Sequence, residues 1–330
     1  MKVLFIGGTG NISTSTSKLC IERGIDLYLL NRGNRKVDIP GAKTLIGDYS
    51  NIAEMKNILK NHSWDVVVNW IAFETKDIEK DFELFNGKTK QYIFISSASI
   101  YQKPPVHPVI TESTPLKNPY WQYSRNKIAC EELLNKYYRE NDFPITIVRP
   151  SHTYDTVIPV AIGGWTEYTI IDRMKKGQKI IVHGDGTTLW TLTHAEDYAK
   201  AQVGLLGHQQ SIGHVFQITS DEMLTWNQIY EAVANAAGAK MNAVHIDSNF
   251  IANLYPNFVG ELLGDKSHSV IFDNTKIKTF VPEFVATIPF SVGIKRTLAW
   301  YEADPARMIV NPDTNKMMDD LINRYERNYK

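Results

Sequence analysis

A tyrosine and a lysine spaced four residues apart, Tyr123 and Lys127, are the side chains in this sequence best suited to proton transfer. On a helix this spacing places the phenol and the ammonium on the same face. A free phenol has a pKa of about 10, which is too high for a base near neutral pH. A neighbouring ammonium favours the phenolate and so lowers that pKa. Such a pair arises readily by chance, so its value depends on where the fold places it.

The position of this pair in the sequence supports a role in chemistry. It opens a candidate helix at residues 121–141, after an apolar strand at residues 92–96 that ends in Ser96-Ser97-Ala98-Ser99-Ile100-Tyr101. In an open parallel sheet, ligands bind at the carboxyl ends of the strands. Ser97 is therefore expected to hydrogen-bond and orient a substrate oxygen. Ser99 and Tyr101 are predicted to contact substrate, and Ser96 to contact a cofactor.

A glycine loop, Gly7-Gly8-Thr9-Gly10-Asn11-Ile12-Ser13, connects an apolar run at residues 3–6 to a candidate helix at residues 13–23. A strand, glycines and a helix start bring backbone N–H groups and the positive helix end to one point, which suits a pyrophosphate. Ser13 replaces the third glycine of the usual pattern, and we expect it to affect only helix packing. The alternative is a tight turn after a buried strand. The predicted cofactor contacts are Gly7, Thr9, Gly10, Asn11 and Ile12.

The end of the second strand is where a dinucleotide-binding fold reads the adenosine ribose, usually with an acidic residue. This chain has Asn31-Arg32-Gly33-Asn34-Arg35-Lys36 instead. Cations at this point favour a 2′-phosphate, so Asn31, Arg32 and Arg35 predict NADP(H) over NAD(H). The alternative is a solvated basic loop. Asp48 is placed to bond the adenine amino group, with Tyr49 beside it.

The elements that must position these residues read as an α/β fold. Near-continuous apolar runs predict buried parallel strands at residues 3–6, 27–30, 44–46, 66–73, 92–96, 145–149 and 215–219. Amphipathic stretches between them predict a doubly wound Rossmann sheet with a smaller, mostly helical C-terminal part. We expect residues 1–155 to form the NAD(P)-binding domain, with 190–219 returning to it. Residues 156–189 and 220–330 would form the substrate-binding domain.

Together these motifs make the chain resemble an extended or atypical short-chain dehydrogenase/reductase, the NAD-dependent epimerase/dehydratase family. The resemblance covers nearly the whole chain and includes residues 67–72 beneath the cofactor, which contain Ile71 and Ala72. It implies that Ser97, Tyr123 and Lys127 are a catalytic triad. It also implies that Lys127 binds the nicotinamide ribose, that Pro150 and the residues after it flank the nicotinamide, and that the protein can form a homodimer.

Three departures from the family pattern bear on function. Residues 77–84 lack the asparagine that often serves as a fourth catalytic residue of the family, so this segment does not supply the family's proton relay. His152 lies where the family often has asparagine, and it is expected to contact cofactor and substrate as a polar wall. Trp190 replaces an arginine that grips the diphosphate of nucleotide sugars. It is predicted either to stack on a sugar-like substrate or to pack in the core.

The composition narrows the choice of function. The 36 basic and 36 acidic residues cancel, which argues against a nucleic-acid partner. The two cysteines, the short apolar runs and the scattered histidines predict a cytoplasmic protein without a membrane span or a metal. We therefore expect an NAD(P)-dependent oxidoreductase or epimerase acting at a hydroxyl-bearing carbon of a small molecule. The alternatives are an RNA-binding relative that kept the fold and a sensor of the cofactor ratio.

Overall fold

The computed structural model describes residues 1–34 and 37–329, so Arg35 lies outside the described residues. The strands are β1 (Lys2–Ile6), β2 (Asp26–Asn31), β3 (Lys43–Ile46), β4 (Val66–Asn69), β5 (Tyr92–Ile95), β6 (Val109–Ile110), β7 (Ile145–Pro150), β8 (His152–Tyr154), β9 (Ile180–His183), β10 (Leu189–Trp190), β11 (Leu192–His194), β12 (Val215–Ile218), β13 (Leu224–Thr225), β14 (Ala243–Ile246) and β15 (Ile271–Phe272).

The α-helices are α1 (Ser13–Glu22), α2 (Ile52–Leu59), α3 (Thr75–Phe85), α4 (Gln122–Asn141), α5 (Thr169–Lys175), α6 (Ala195–Gly204), α7 (Trp226–Ala236), α8 (Ser248–Leu254), α9 (Thr275–Phe280), α10 (Phe290–Glu302) and α11 (Pro312–Tyr329). A π-helix spans Val259–Lys266, and short 3₁₀ turns span Ala98–Ile100, Gln209–Ser211 and Pro305–Arg307. Within the described ranges, none of the helices combines the length and the apolar character needed to cross a membrane.

Seven parallel strands form the central sheet in the order β3-β2-β1-β4-β5-β7-β12. The sheet is covered on both faces, because Cys20 of α1 and Tyr198 of α6 pack on one side and Met55 of α2 and Leu134 of α4 on the other. Burial on both faces explains why the strands are almost continuously apolar. The predicted doubly wound Rossmann fold is confirmed. A third core lies in the second half of the chain, where helices predominate.

Some predicted element bounds were wrong. Strand β4 ends at Asn69 rather than at residue 73, and the Ile71 N–H donates to Asn69 Oδ1 over 2.8 Å, which turns the chain out of the sheet. The π-helix was not predicted. Strand β12 pairs with β7 in the central sheet, whereas the division of the chain into two domains stays a prediction.

Candidate active site

The carboxyl ends of β1, β2, β4 and β5 open onto a cleft of about 670 Å³. The predicted residues that line it are Gly7, Thr9, Gly10, Asn11, Ile12, Asn31, Arg32, Asp48, Tyr49, Ile71, Ser96, Ser97, Tyr123, Lys127, Pro150 and His152. A smaller cavity of about 220 Å³ continues from the cleft past Ser97, Tyr123 and His152, and Ser99 lines this second cavity. The fold thus gathers residues from the whole first half of the chain at one edge of the sheet.

The glycine loop has a backbone that only glycine can adopt without strain. Gly7 and Gly8 have φ angles of +96° and +99°. A Cβ atom on Gly8 would lie 2.7 Å from Leu29 Cδ2, and one on Gly7 would lie 3.3 Å from Ile71 Cγ2. The loop is therefore packed against β2 and the segment after β4, and its main chain forms the floor of the cleft.

Ser13, at the position of the usual third glycine, takes part in the loop itself. Its buried Oγ accepts a 2.8 Å hydrogen bond from the Gly10 N–H, and the Thr14 hydroxyl donates to the Gly10 carbonyl over 2.8 Å. The prediction that Ser13 affects only helix packing was wrong, because the serine hydroxyl holds the turn between the loop and α1. A glycine at this position has no side chain and could not make this hydrogen bond.

Lys127 is buried at the centre of the site, with 2% of its surface exposed. Its ammonium donates to the Ala72 and Ile95 carbonyls over 2.7 Å each, which leaves one of its three N–H donors for a ligand. Burial lowers the pKa of Lys127 to about 8. Ala72 itself does not line the cleft, so the prediction that it contacts the cofactor was wrong; its carbonyl holds Lys127 instead.

Tyr123 lies between the cleft and the smaller cavity, and the Lys127 ammonium is 5.9 Å from the centroid of its ring. Burial raises the pKa of Tyr123, the Asp265 carboxylate adds to that rise, and the Ser97 hydroxyl opposes it. Lys127 and the other residues of the chain therefore do not by themselves lower the pKa of Tyr123 as expected. In this state Tyr123 is a phenol.

Ser97 belongs to a short chain of hydroxyl groups that runs inward from the cleft. Its Oγ lies 2.9 Å from Ser99 Oγ, which lies 2.8 Å from Ser124 Oγ. Asn118 Nδ2 donates to Ser124 Oγ over 3.2 Å and to the Ser99 carbonyl over 2.8 Å. These bonds fix the Ser97 side chain at the mouth of the smaller cavity. Ser99 therefore supports Ser97 as well as lining that cavity.

The far end of the cleft contains the residues predicted to bind adenosine. Asn31 Oδ1 accepts a 2.8 Å hydrogen bond from the Gly33 N–H and so shapes the loop after β2. Asp48 and Arg32 are exposed, and hydrogen bonds from Ser50, with Arg32 adding a smaller effect, hold the pKa of Asp48 below its ordinary value. Tyr49 is buried and its hydroxyl donates to Asp81 Oδ1 over 2.9 Å.

Tyr101 faces away from both cavities. The 3₁₀ turn at Ala98–Ile100 carries the chain past Ser97, and the buried Tyr101 hydroxyl donates to Gln217 Oε1 over 3.0 Å. The Arg149 guanidinium lies 4.9 Å from its ring centroid. The prediction that Tyr101 contacts substrate was wrong, because its hydroxyl is committed to the core.

Trp190 also lies outside both cavities, so its predicted contact with substrate was wrong. It is 2% exposed and stacks on Trp226 with ring centroids 5.5 Å apart. Its Nε1 donates a 3.1 Å hydrogen bond to Nδ1 of His152. The alternative of core packing is therefore correct, and Trp190 reaches the site through His152.

His152 is held in one protonation state. An indole nitrogen only donates, so Nδ1 of His152 must be the unprotonated acceptor. Burial lowers the pKa of His152 well below 6.5, and the charge on Lys266 lowers it further. The neutral ring therefore carries its proton on Nε2, which is buried without a partner among the described residues. His152 offers one hydrogen-bond donor where the two cavities meet.

Several residues of the smaller cavity were not predicted from the sequence, among them Trp121, Trp165, Asp265 and Lys266. Trp165 stacks on His152 with ring centroids 4.5 Å apart. Asp265 and Lys266 lie at the end of the π-helix, an uncommon element that occurs often at functional sites. The π-helix was recognised only in the structure, so no sequence pattern pointed to Asp265 and Lys266 as site residues.

The cleft fits a dinucleotide by the chemistry of its lining. The Oδ1 atom of Asn11 and the Oγ atom of Ser96 are buried without a partner among the described residues, although both residues line the cleft. Asn11 is fixed by its Nδ2, which donates to the Thr153 carbonyl over 2.9 Å. Orphaned buried polar atoms are costly and mark positions where a ligand supplies the missing bond. Asn11 lies in the glycine loop just before α1, and Ser96 follows the carboxyl end of β5.

Relatives with solved structures share this fold over almost their whole length. An epimerase from Methanothermobacter thermautotrophicus superposes with a TM-score of 0.75 and 15% identity, covering 93% of this chain and 94% of that one. UDP-glucuronic acid 4-epimerase from Bacillus cereus, solved with UDP-glucuronic acid and NAD, gives a TM-score of 0.73 and 17% identity. It covers 92% of this chain and 99% of its own.

Sequence comparison finds similar proteins of two kinds. The chain is 26% identical over 251 residues to the chloroplast stem-loop binding protein of 41 kDa b from Arabidopsis thaliana, covering 72% of this chain and 63% of that protein. It is 23% identical over 320 residues to UDP-glucose 4-epimerase from Lactobacillus helveticus, covering 84% and 90%. Residues 3–219 match the profile of the NAD dependent epimerase/dehydratase family. The predicted family is confirmed: this chain belongs to the NAD-dependent epimerase/dehydratase family.

Proposed function

We propose that the protein is an NAD(P)-dependent oxidoreductase or epimerase that acts at a hydroxyl-bearing carbon of a small, sugar-like molecule. The observation that carries this proposal is that Ser97, Tyr123 and Lys127 line the same cleft as the glycine loop. Tyr123 exchanges the hydroxyl proton of the substrate, and Ser97 hydrogen-bonds the same oxygen. Ser97 suits this role because its hydroxyl is held at the boundary of the two cavities by Ser99.

A bound nicotinamide cofactor would supply hydride transfer. The residues that would hold it are those of the glycine loop and the start of α1 at the pyrophosphate, and Pro150 and His152 near the nicotinamide. Lys127 would donate its remaining N–H to a ribose hydroxyl. Because burial raises the pKa of Tyr123, forming its phenolate needs a positive charge beyond that of the chain itself.

We propose NADP(H) as the preferred cofactor. Arg32 lines the end of the cleft next to Asp48, and no acidic residue that could accept a ribose 2′-OH lies between Leu27 and Val37. A guanidinium there binds a 2′-phosphate with a charge-assisted hydrogen bond. An Arg32→Ala variant should therefore lose affinity for NADP⁺ by about tenfold and leave NAD⁺ binding nearly unchanged.

Turnover of a panel of sugars, sugar acids and sugar phosphates tests the proposal: formation of reduced cofactor reports net oxidation, and chromatographic detection of the epimer reports epimerisation, which regenerates the oxidised cofactor. Tyr123→Phe should lower the rate by at least about 100-fold, because it removes the group that exchanges the proton. Tyr138→Phe is the matched control, since Tyr138 lies on the same helix α4 but is exposed. A Tyr123→Phe variant that keeps the wild-type rate on an identified substrate would rule out this assignment.

The relative from Arabidopsis, named for stem-loop binding, supports a second candidate function, retention of RNA. The balanced charge of this chain argues against it, since 36 basic residues are matched by 36 acidic ones. Salt-sensitive binding of a stem-loop RNA at physiological ionic strength, together with no turnover of any substrate, would favour that candidate.

A further inference from the structure

Lys266 and Asp265 line the smaller cavity, and a second buried lysine, Lys103, lies on the other side of the partly buried Asp265 carboxylate. Lys103 is 2% exposed and Lys266 is 4% exposed, and Asp265 lies between them. The Asp265 oxygens are 3.9 Å from Lys103 Nζ and 3.8 Å from Lys266 Nζ. Both distances exceed a direct hydrogen bond. One carboxylate thus faces two ammonium groups, and burial lowers the pKa of Lys103.

The other acidic side chain near Lys266 does not remove this excess charge. Glu261 Oε2 lies 4.0 Å from Lys266 Nζ, again beyond hydrogen-bonding distance, and the Glu261 side chain is 45% exposed. Solvent screens a carboxylate of that exposure, whereas the ammonium is almost fully buried. Lys266 therefore lacks an acceptor at hydrogen-bond length among the described residues, although a buried ammonium normally requires one.

The surroundings of Lys266 form a binding site rather than a filled core. Its Nζ lies 5.8 Å from the ring centroid of Trp121, which lines the same cavity. His152 lines the same cavity, and its buried Nε2–H has no partner among the described residues. Two donors that find no acceptor in the described part of the chain therefore belong to one cavity, and Tyr123 and Ser97 form its border with the cleft.

The size of the cavity limits what can occupy it. At about 30 Å³ for one water, a volume of about 220 Å³ corresponds to roughly seven waters. That room suits one sugar ring or a small acid, and a complete nucleotide sugar would have to extend beyond it into the cleft. Trp190, which replaces the arginine expected for a diphosphate, is buried in the core and cannot bind phosphate.

We propose that the substrate bears a carboxylate or phosphate group that Lys266 binds through its ammonium, with a second hydrogen bond from Nε2–H of His152. The substrate class is then a small hydroxylated acid or a sugar phosphate. Asp265 is shared between the Lys103 and Lys266 ammonium groups, so its single negative charge leaves positive charge for the ligand. This inference rests on the proposed function, because it names the substrate class of the same site.

Calorimetric titration of the full-length protein with malonate and with inorganic phosphate tests the inference. The neutral malonamide serves as the uncharged counterpart of malonate. We expect at least one of the two anions to bind and malonamide not to bind. Lys266→Met should weaken the anion by at least about tenfold, which is the loss of one charged hydrogen bond. Lys240→Met, at an exposed position, should leave the affinity unchanged.

The comparison of anion with malonamide uses only the wild-type protein, so it holds even if Lys266→Met fails to fold. Failure of both anions to bind, equal binding of malonate and malonamide, or an unchanged affinity in folded Lys266→Met would overturn the inference. These titrations need neither turnover nor a dinucleotide. A negative result here therefore leaves the test of Tyr123 standing, and a failure of the Tyr123 test leaves the anion result readable.

Discussion

The indole Nε1 of Trp190 donates a 3.1 Å hydrogen bond to Nδ1 of His152 and leaves Nε2 of that ring buried without a partner in residues 1–34 and 37–329. A residue in the core thereby sets the hydrogen-bonding character of a residue in the site. His152 cannot act as a base at Nε2, since that nitrogen carries the proton of a neutral ring. It acts as a fixed donor.

Replacing Trp190 by phenylalanine should keep the ring packing on Trp226 and free Nδ1 of His152. We expect the histidine to populate both neutral tautomers, which nitrogen chemical shifts of its ring report by nuclear magnetic resonance. Turnover should fall by about tenfold, the effect of losing one oriented hydrogen bond. Dinucleotide binding should change little. An unchanged single tautomer in Trp190→Phe would contradict this account of His152.

Gly8→Ala should destabilise the protein and weaken dinucleotide binding. The new Cβ meets Leu29 at 2.7 Å in a backbone with a φ of +99°, so strain and overlap add. Gly24→Ala is the control, because Gly24 has a φ of +70° and its Cβ would meet nothing within 4 Å. The free energy of unfolding measured in urea should fall by about 1 kcal/mol for Gly24→Ala and by clearly more for Gly8→Ala. Equal losses would show that the loop is not packed as described.

The buried carboxyl of Asp81 should make stability depend on pH. It accepts hydrogen bonds from Tyr49, Asn69 and Tyr92, but burial outweighs them and raises its pKa from 3.8 to about 6. The folded state then binds more protons than the unfolded state between these values, so the contribution of Asp81 to stability falls as the pH rises through them. The decline should reach roughly 3 kcal/mol.

Urea unfolding of wild type and Asp81→Asn across this range measures the effect. The free energy of unfolding of wild type relative to Asp81→Asn should decrease as the pH rises from about 4 to above 6. The asparagine variant removes the titration while keeping the shape of the side chain. A difference that stays constant, or that grows with pH, would contradict the raised pKa.

Tyr123 should stay protonated in the cofactor-free protein beyond the ordinary pKa of about 10, because burial raises its pKa. The ultraviolet absorbance of tyrosinate, taken as the difference between wild type and Tyr123→Phe, follows this group alone. We expect no difference below about pH 10 without dinucleotide. With oxidised dinucleotide present, the difference should emerge at lower pH, since positive charge favours phenolate. Ionisation near neutral pH without dinucleotide would refute the burial argument.

Much of the fold followed from the pattern of apolar residues. The strands are buried on both faces, so each was visible as a continuous apolar run, and the alternation with amphipathic helices implied a parallel sheet. The glycine loop and the pair Tyr123 and Lys127 were predictable because each is a local pattern. Their meeting in one cleft follows from the rule that parallel strands end at one edge.

The errors share a physical cause, which is that a sequence does not show where a large side chain points. Trp190 and Tyr101 each combine an apolar ring with one polar atom, so their sequence positions were compatible with either the site or the core. Both side chains pack in the core. Asp265 and Lys266 come from a π-helix far along the chain from Tyr123, and no spacing rule connects them. The role of Ser13 in holding the glycine loop was missed because its hydrogen-bond partner is a backbone N–H, which a sequence pattern does not show.

The central claim is that the cleft holds a nicotinamide dinucleotide, and calorimetric titration of the protein with NADP⁺ and NAD⁺ tests it most directly. We predict saturable binding of one dinucleotide per chain, with NADP⁺ the tighter of the two. Tighter NAD⁺ would overturn the role given to Arg32 while leaving the site in place. Failure of both dinucleotides to bind would contradict the account.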